Sequence, residues 1–223
     1  RYTRDDLKLY NVNITGNIKN NSQNSKLLYD GGTINGAILN SGDLEVNSIT
    51  LTARQNYGIS NIANNSNLVK ISNSNITVTR ALEEDDGIRN NGNIKITNTN
   101  ITLTEATNSA GIRNHGSGEF TVIGGNISVS ASSNTNIYGI RNDTNSTVNN
   151  KISPNNITVS GGNNAYGILN RNGTLTLLSG RVDVSNATNS YGVYLYGGEV
   201  ILGTYDGSGD PSADVSTTTP LIK

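Results

Sequence analysis

Arg89, Arg113 and Arg141 each stand between Ile and Asn, in Gly87-Ile88-Arg89-Asn90, Gly111-Ile112-Arg113-Asn114 and Gly139-Ile140-Arg141-Asn142. A guanidinium presents a planar fork of donors that holds a carboxylate, sulfate or phosphate through two parallel hydrogen bonds. At one phase of a repeat, the three would occupy neighbouring rungs about 5 Å apart, where like charges are mildly unfavourable. A tolerated cost of that kind makes them candidate ligand-binding residues for an acidic group. The plainer reading is three solvated arginines balanced by Glu83, Glu84, Asp85 and Glu105 in adjoining turns. Exposed ion pairs of that sort are common and weak.

Other reactive side chains are sparse. Glu83-Glu84-Asp85-Asp86 crowds four acids into one loop, which reads as a solvated turn. A polysaccharide hydrolase instead needs two carboxylates in different environments flanking one bond, and a lyase resembling the pectate type needs clustered Asp for calcium with a basic residue to take the proton. Asp183 stands alone in a column of Thr and Ser. The single histidine, His115, follows a strand end and has no cysteine to activate. Asp206-Gly207-Ser208-Gly209-Asp210 alternates oxygen ligands as a calcium loop does, but it lacks the distal Glu of that pattern and reads as a plain loop. The expectation is therefore no catalysis, no metal and no cofactor.

Two further sets of side chains recur. Tyr57, Tyr138, Tyr166 and Tyr191 each precede a glycine. Pointing outward they would make a sugar-stacking strip, and pointing inward they would fill a coil corner, the simpler expectation. Thr50/Thr52, Thr77/Thr79 and Thr102/Thr104 suggest two outward rows, similar to the ice-binding faces of solenoid antifreeze proteins. The rows then decay to Ser128/Ser130, Thr158/Ser160 and Asp183/Ser185, which a flat ice-matching face should not permit.

These residues are positioned by a repeat. The Gly-Ile-x-Asn string occurs around Ile59, Ile88, Ile112, Ile140 and Ile168, with degenerate copies at Ala37-Ile38-Leu39-Asn40 and Tyr191-Gly192-Val193-Tyr194. Successive copies lie 21 to 29 residues apart. Each is followed by an alternating string such as Leu44-Glu45-Val46 or Ile94-Lys95-Ile96. A second follows that, such as Ile76-Thr77-Val78-Thr79 or Ile127-Ser128-Val129-Ser130. Period-two alternation puts Ile and Val on one face and polar residues on the other. Short β-branched runs bounded by Asn and Gly are strands. Three per repeat predict an all-β, right-handed parallel β-helix of about seven coils, each burying its apolar face only by stacking on its neighbours. Propeller blades are longer and hold four strands.

Asparagine marks the corners. Asn40, Asn61, Asn90, Asn114, Asn142 and Asn170 close the first strand, while Asn75, Asn100, Asn126 and Asn156 open the third. The type tolerates left-handed backbone, and its amide can bond the next rung, so both series are expected to be structural ladders.

Composition agrees with a thin core. Only 33% of residues are hydrophobic, yet the net charge is −1 and the β-branched runs are regular, which separates the chain from a disordered one. Near-neutral charge argues against nucleic-acid binding. No stretch is apolar enough to span a membrane, and the absence of Cys excludes disulfides. Starting at Arg1 without methionine or signal peptide, the sequence reads as a piece of something longer.

The Gly-Ile-x-Asn, Asn-Gly-x-Leu-x-Leu and Asn-Ile-Thr-Val strings resemble repeats in large surface proteins of Gram-positive, gut-type bacteria, pectin-lyase-type β-helices that serve as stalks or adhesins. The resemblance spans roughly residues 30–223. It implies an extracellular or cell-surface location, glycans or host and surface proteins as partners, and no catalytic role. The expected organisation is an N-terminal coil or cap over 1–30, the repeat solenoid over 31–202, and an irregular segment over 203–223. Val215–Ile222 is similar to the start of a further coil. Open solenoid ends also predict self-association by end-to-end stacking.

Overall fold

The computed structural model describes residues 6–62, 67–81, 85–131, 135–144, 149–203 and 221–222. Within them the chain has 24 strands and no helix, wound as a right-handed parallel β-solenoid. Three strand faces run along it. The first is a sheet of eight short strands: Ile18–Asn20, Ile38–Asn40, Ile59–Asn61, Ile88–Asn90, Ala110–Asn114, Asn136–Asn142, Asn164–Asn170 and Asn189–Leu195. Its register aligns Ile18, Ile38, Ile59, Ile88, Ile112, Ile140, Ile168 and Val193 in one inward column. The first member, Ile18-Lys19-Asn20, precedes the earliest copy legible in the sequence.

The second and third faces are joined at the start by Lys26–Asn35, one strand long enough to serve both. Beneath it lies Leu7–Thr15, paired along nearly its whole length. In later coils the two faces are separate strands, such as Asp43–Asn47 and Thr50–Arg54, or Asn93–Thr97 and Asn100–Thr104. The corner between them needs positive φ. Asn11, Ser48, Asn73 and Asn98 supply φ of 46 to 54°, and Gly31 and Gly124 supply 73 and 64°. Leu221–Ile222 pairs with Arg181–Val182 and extends the third face.

Inward residues of all three faces form one continuous core. Leu44, Val46, Ile71, Ile76, Ile101, Phe120, Val129, Ile157 and Leu175 are all at most 1% exposed. The solenoid is so narrow that the glycine of each Gly-Ile string faces a side chain across the core. A Cβ on Gly58 would lie 2.5 Å from Ile76 Cγ2 and 2.6 Å from the Gly87 carbonyl oxygen. This glycine is therefore required by space; its backbone is an ordinary one.

The asparagines that close the first-face strands form one buried amide ladder. Nδ2 of each donates to Oδ1 of the next coil's asparagine: Asn20 to Asn40 (2.9 Å), Asn40 to Asn61 (3.3 Å) and Asn61 to Asn90 (2.8 Å). The chain continues from Asn90 to Asn114 (2.8 Å), Asn114 to Asn142 (2.9 Å) and Asn142 to Asn170 (2.7 Å). From Asn40 to Asn170 all are 0% exposed. Backbone carbonyls of Gly173, Gly197 and Glu199 terminate it. The second series is exposed and runs the opposite way, with Asn100 donating to Asn75, Asn126 to Asn100 and Asn156 to Asn126. Neither series uses left-handed backbone; that geometry belongs to Asn73 and Asn98 at the neighbouring corner. A third ladder, Asn136, Asn164 and Asn189, opens the later first-face strands.

Candidate functional site

The outer surface of the first face gathers most of the side chains with chemistry. Asn and Ile point inward along each short strand, so the residue between them points out. That column reads Leu39, Ser60, Arg89, Arg113, Arg141, Leu169 and Tyr194. The residue after the ladder Asn lies beside it: Ile62, Asn91, His115, Asp143 and Arg171, and then Tyr196 after Leu195, which takes the Asn position in the last strand.

The three arginines share a column but not an environment. Arg89 is half-buried and lines a groove of about 520 Å³ with Leu39, Tyr57, Ser60, Ile62, Asn91 and His115. Arg113, expected to reach solvent, is 0% exposed. Its Nε lies 3.1 Å from Asp86 Oδ2, itself 0% exposed, and its Nη2 donates to the Asn108 carbonyl at 2.8 Å. Asp86 Oδ1 accepts from the Ala110 amide at 2.8 Å. Alternation places Arg113 outside the core, but the small Ala110 beside it lets the guanidinium fold onto the sheet toward the previous coil. Arg113 is thus a structural ion pair and no part of an exposed strip. Arg141 Nε lies 2.8 Å from Asp143 Oδ2, and its guanidinium sits 5.2 Å from the Tyr138 ring centroid. Burial alone would lower the Arg141 pKa, but the Asp143 hydrogen bond and charge outweigh it and raise it above the ordinary value.

Asp143 is the hub of this surface. Arg141, Arg171 (3.8 Å) and His115 (3.8 Å) all converge on it. Asp86 thus meets Arg113, and Asp143 meets Arg141 and Arg171. Glu105 instead meets Arg80, while Glu83 and Glu84 lie outside the described residues. Arg141-Asn142-Asp143 carried the available sequence signal, because residues flanking an inward Asn emerge on the same side. The Asp206–Asp210 loop also lies outside the described residues.

His115 is held below the ordinary imidazole pKa, first by burial and then by Arg89, with Arg113 and Arg141 adding and Asp143 opposing. Its Nε2 is buried and has no hydrogen-bond partner among the described residues.

The tyrosines divide. Tyr138, Tyr166 and Tyr191 stack on one another, with centroids 5.1 and 5.0 Å apart and planes within 12°. Tyr194 packs edge-on against Tyr166 and Tyr191. Ala110, Tyr138 and Leu169, with Tyr166 and Tyr194 packed against them, form a small apolar cluster separate from the main core, in which Tyr138 is buried and Tyr166 partly so. Tyr166 is stacked on both faces, which leaves it no free face for a sugar ring. Asp86 and Ala110 interrupt the column, so Tyr57 is separate and lines the groove.

On the third face, Thr52, Thr77, Thr102, Ser128 and Thr158 share one outward column, whereas Thr50 aligns with Asn75 and heads the asparagine column. The expected pairing of Thr50/Thr52 with Thr77/Thr79 is out of register by two residues. On the second face, Lys70 and Lys95 are adjacent and Lys151 lies two rungs beyond.

Comparison with protein-family models, with curated proteins and with solved structures finds no match to this chain. The stacked-coil architecture is established by the structure itself, and any function must be argued from the surface just described.

Proposed function

We propose that this chain is a non-catalytic, extracellular module of a bacterial surface protein, of the adhesin or stalk type that its repeats resemble. Its ligand, an acidic glycan or matrix component, occupies the groove over Arg89. The observation that carries this reading is the groove itself. Its volume of about 520 Å³ lies within the range of small-ligand sites, roughly 300–1,000 Å³. Apolar Leu39, Tyr57 and Ile62 line it, and Ser60, Asn91 and Arg89 add hydrogen-bonding groups. An apolar lining with a few polar groups and one cation suits a ring-bearing ligand with an acidic substituent. The strands beneath are hydrogen-bonded on both sides, so an extended peptide could not bind there by adding a strand. Asp143, the carboxylate nearest His115, is already engaged by Arg141 and Arg171, which favours a binding role over an acid–base pair.

The test is binding of the purified chain and an Arg89→Ala variant to an array of glycans and matrix proteins. Binding to acidic ligands that is lost in the variant, with the circular dichroism spectrum unchanged, supports the reading. Silence across the array removes it and leaves a stalk.

A second reading is end-to-end self-association. It is favoured by exposed Leu7 and Tyr10 on the first described coil, and by Leu195, Tyr196 and Leu202 on the last. Filaments that grow with concentration under the electron microscope would support it, and a monomer at all concentrations by sedimentation would end it.

A further inference from the structure

His115 joins the groove to the charge cluster beside it. It lines the groove with Arg89, and its Nδ1 faces Asp143 Oδ2 at 3.8 Å. Its Nε2, buried without a hydrogen-bond partner among the described residues, is the kind of group that a structure leaves unsatisfied only for a reason. We infer that His115 is a titratable contact of the groove, so that an anion bound beside Arg89 is held more tightly in acid than at neutral pH. This rests on the groove being the ligand site.

The charged groups facing His115 are Arg89, Arg113 and Arg141 on successive first-face strands, and Asp143 in the turn beyond them. Burial, and after it the Arg89, Arg113 and Arg141 charges, disfavour the protonated imidazole, and Asp143 opposes them. A bound anion adds negative charge beside it. Opposite charge within about 4–6 Å favours the charged imidazole, so anion binding and protonation reinforce each other. The guanidiniums keep their charge across this range, which leaves the imidazole as the switching group.

The chain has one histidine, so its imidazole proton resonance in the untagged protein needs no assignment. Sulfate, whose charge is constant across the range, serves as the probe, titrated at about pH 5 and about pH 7.5. The expected result has two parts. The His115 pKa rises in saturating sulfate, and sulfate binds several-fold more tightly at the lower pH, up to about five- to tenfold for a rise of about 0.7 to 1 in that pKa. In His115→Gln the ratio falls to about one. Equal sulfate affinity at both pH values in the native chain, or a ratio that survives His115→Gln, overturns the inference while leaving the groove as a binding site. Sulfate that moves no groove resonance at either pH, together with a silent ligand array, overturns the binding reading as well.

Discussion

Replacing Asn114 by alanine cuts the buried amide ladder at its middle. Asn114 Oδ1 accepts from Asn90 at 2.8 Å and its Nδ2 donates to Asn142 at 2.9 Å, all at 0% exposure. After truncation the Asn90 amide keeps its 2.6 Å bond to the Gly92 carbonyl, but Asn142 Oδ1 loses its donor in a place water does not reach. A buried polar group left unpaired costs about 1–3 kcal/mol, and the weakened donor and small void add to it, giving about 2–4 kcal/mol in total. For a chain of this size each kcal/mol lowers the melting temperature by about 2–4 °C, so a fall of about 5–15 °C is expected by far-ultraviolet circular dichroism. The comparison variant is Asn100→Ala on the exposed ladder. It also removes bonds to two neighbours, Asn75 and Asn126, but water replaces them, so its cost should stay within about 0.5 kcal/mol. If Asn114→Ala is no more harmful than Asn100→Ala, burial does not set the worth of these ladders and the reasoning fails.

Gly111→Ala should cost about 1–3 kcal/mol in urea unfolding, toward the upper end, because the new Cβ runs into Ile127 Cγ2 and meets the Gly139 carbonyl oxygen at 2.7 Å, and backbone cannot step aside. Arg113→Ala should destabilise by about 3–5 kcal/mol by leaving Asp86 buried and uncompensated, and Asp86→Asn combined with Arg113→Met should recover part of that loss in the same assay. The His115 pKa is lower in the folded chain than in the unfolded one. Stability should therefore be full above the ordinary imidazole value of about 6.5 and decline as pH falls from there through the lower folded value. His115→Gln should flatten that portion of the stability curve, measured as melting temperature against pH.

The architecture was legible because one period-two pattern, repeated at intervals of 21 to 29 residues, serves all three faces. Ile18-Lys19-Asn20 keeps only the Ile-x-Asn part of the motif, yet it stacks in register on Ile38-Leu39-Asn40. The third asparagine ladder carried a usable signal: Asn136, Asn164 and Asn189 each stand three residues before a strand glycine. The binding surface was less legible. Alternation states which side of its own strand a residue leaves, so it placed Arg89, Arg113 and Arg141 outside the core. It does not state what lies over that side. This depends on turns of unequal length and on the neighbouring rung, where Ala110 makes room for Arg113 and Tyr138 stacks under Arg141. The groove over Arg89 arises from residues of four coils, Leu39 on one, Tyr57, Ser60 and Ile62 on the next, Arg89 and Asn91 on the third and His115 on the fourth, and no single sequence string brings them together.

The most direct test of a ligand site on the first face is residue-by-residue mapping of amide shifts as a ligand selected from the array is titrated. Shifts should cluster at Tyr57, Ser60, Ile62, Arg89, Asn91 and His115, and the lysine column of Lys70, Lys95 and Lys151 on the second face should stay still. Shifts confined to that lysine column, or to the Thr77–Thr102 column on the third face, would contradict the assignment of the groove as the binding site.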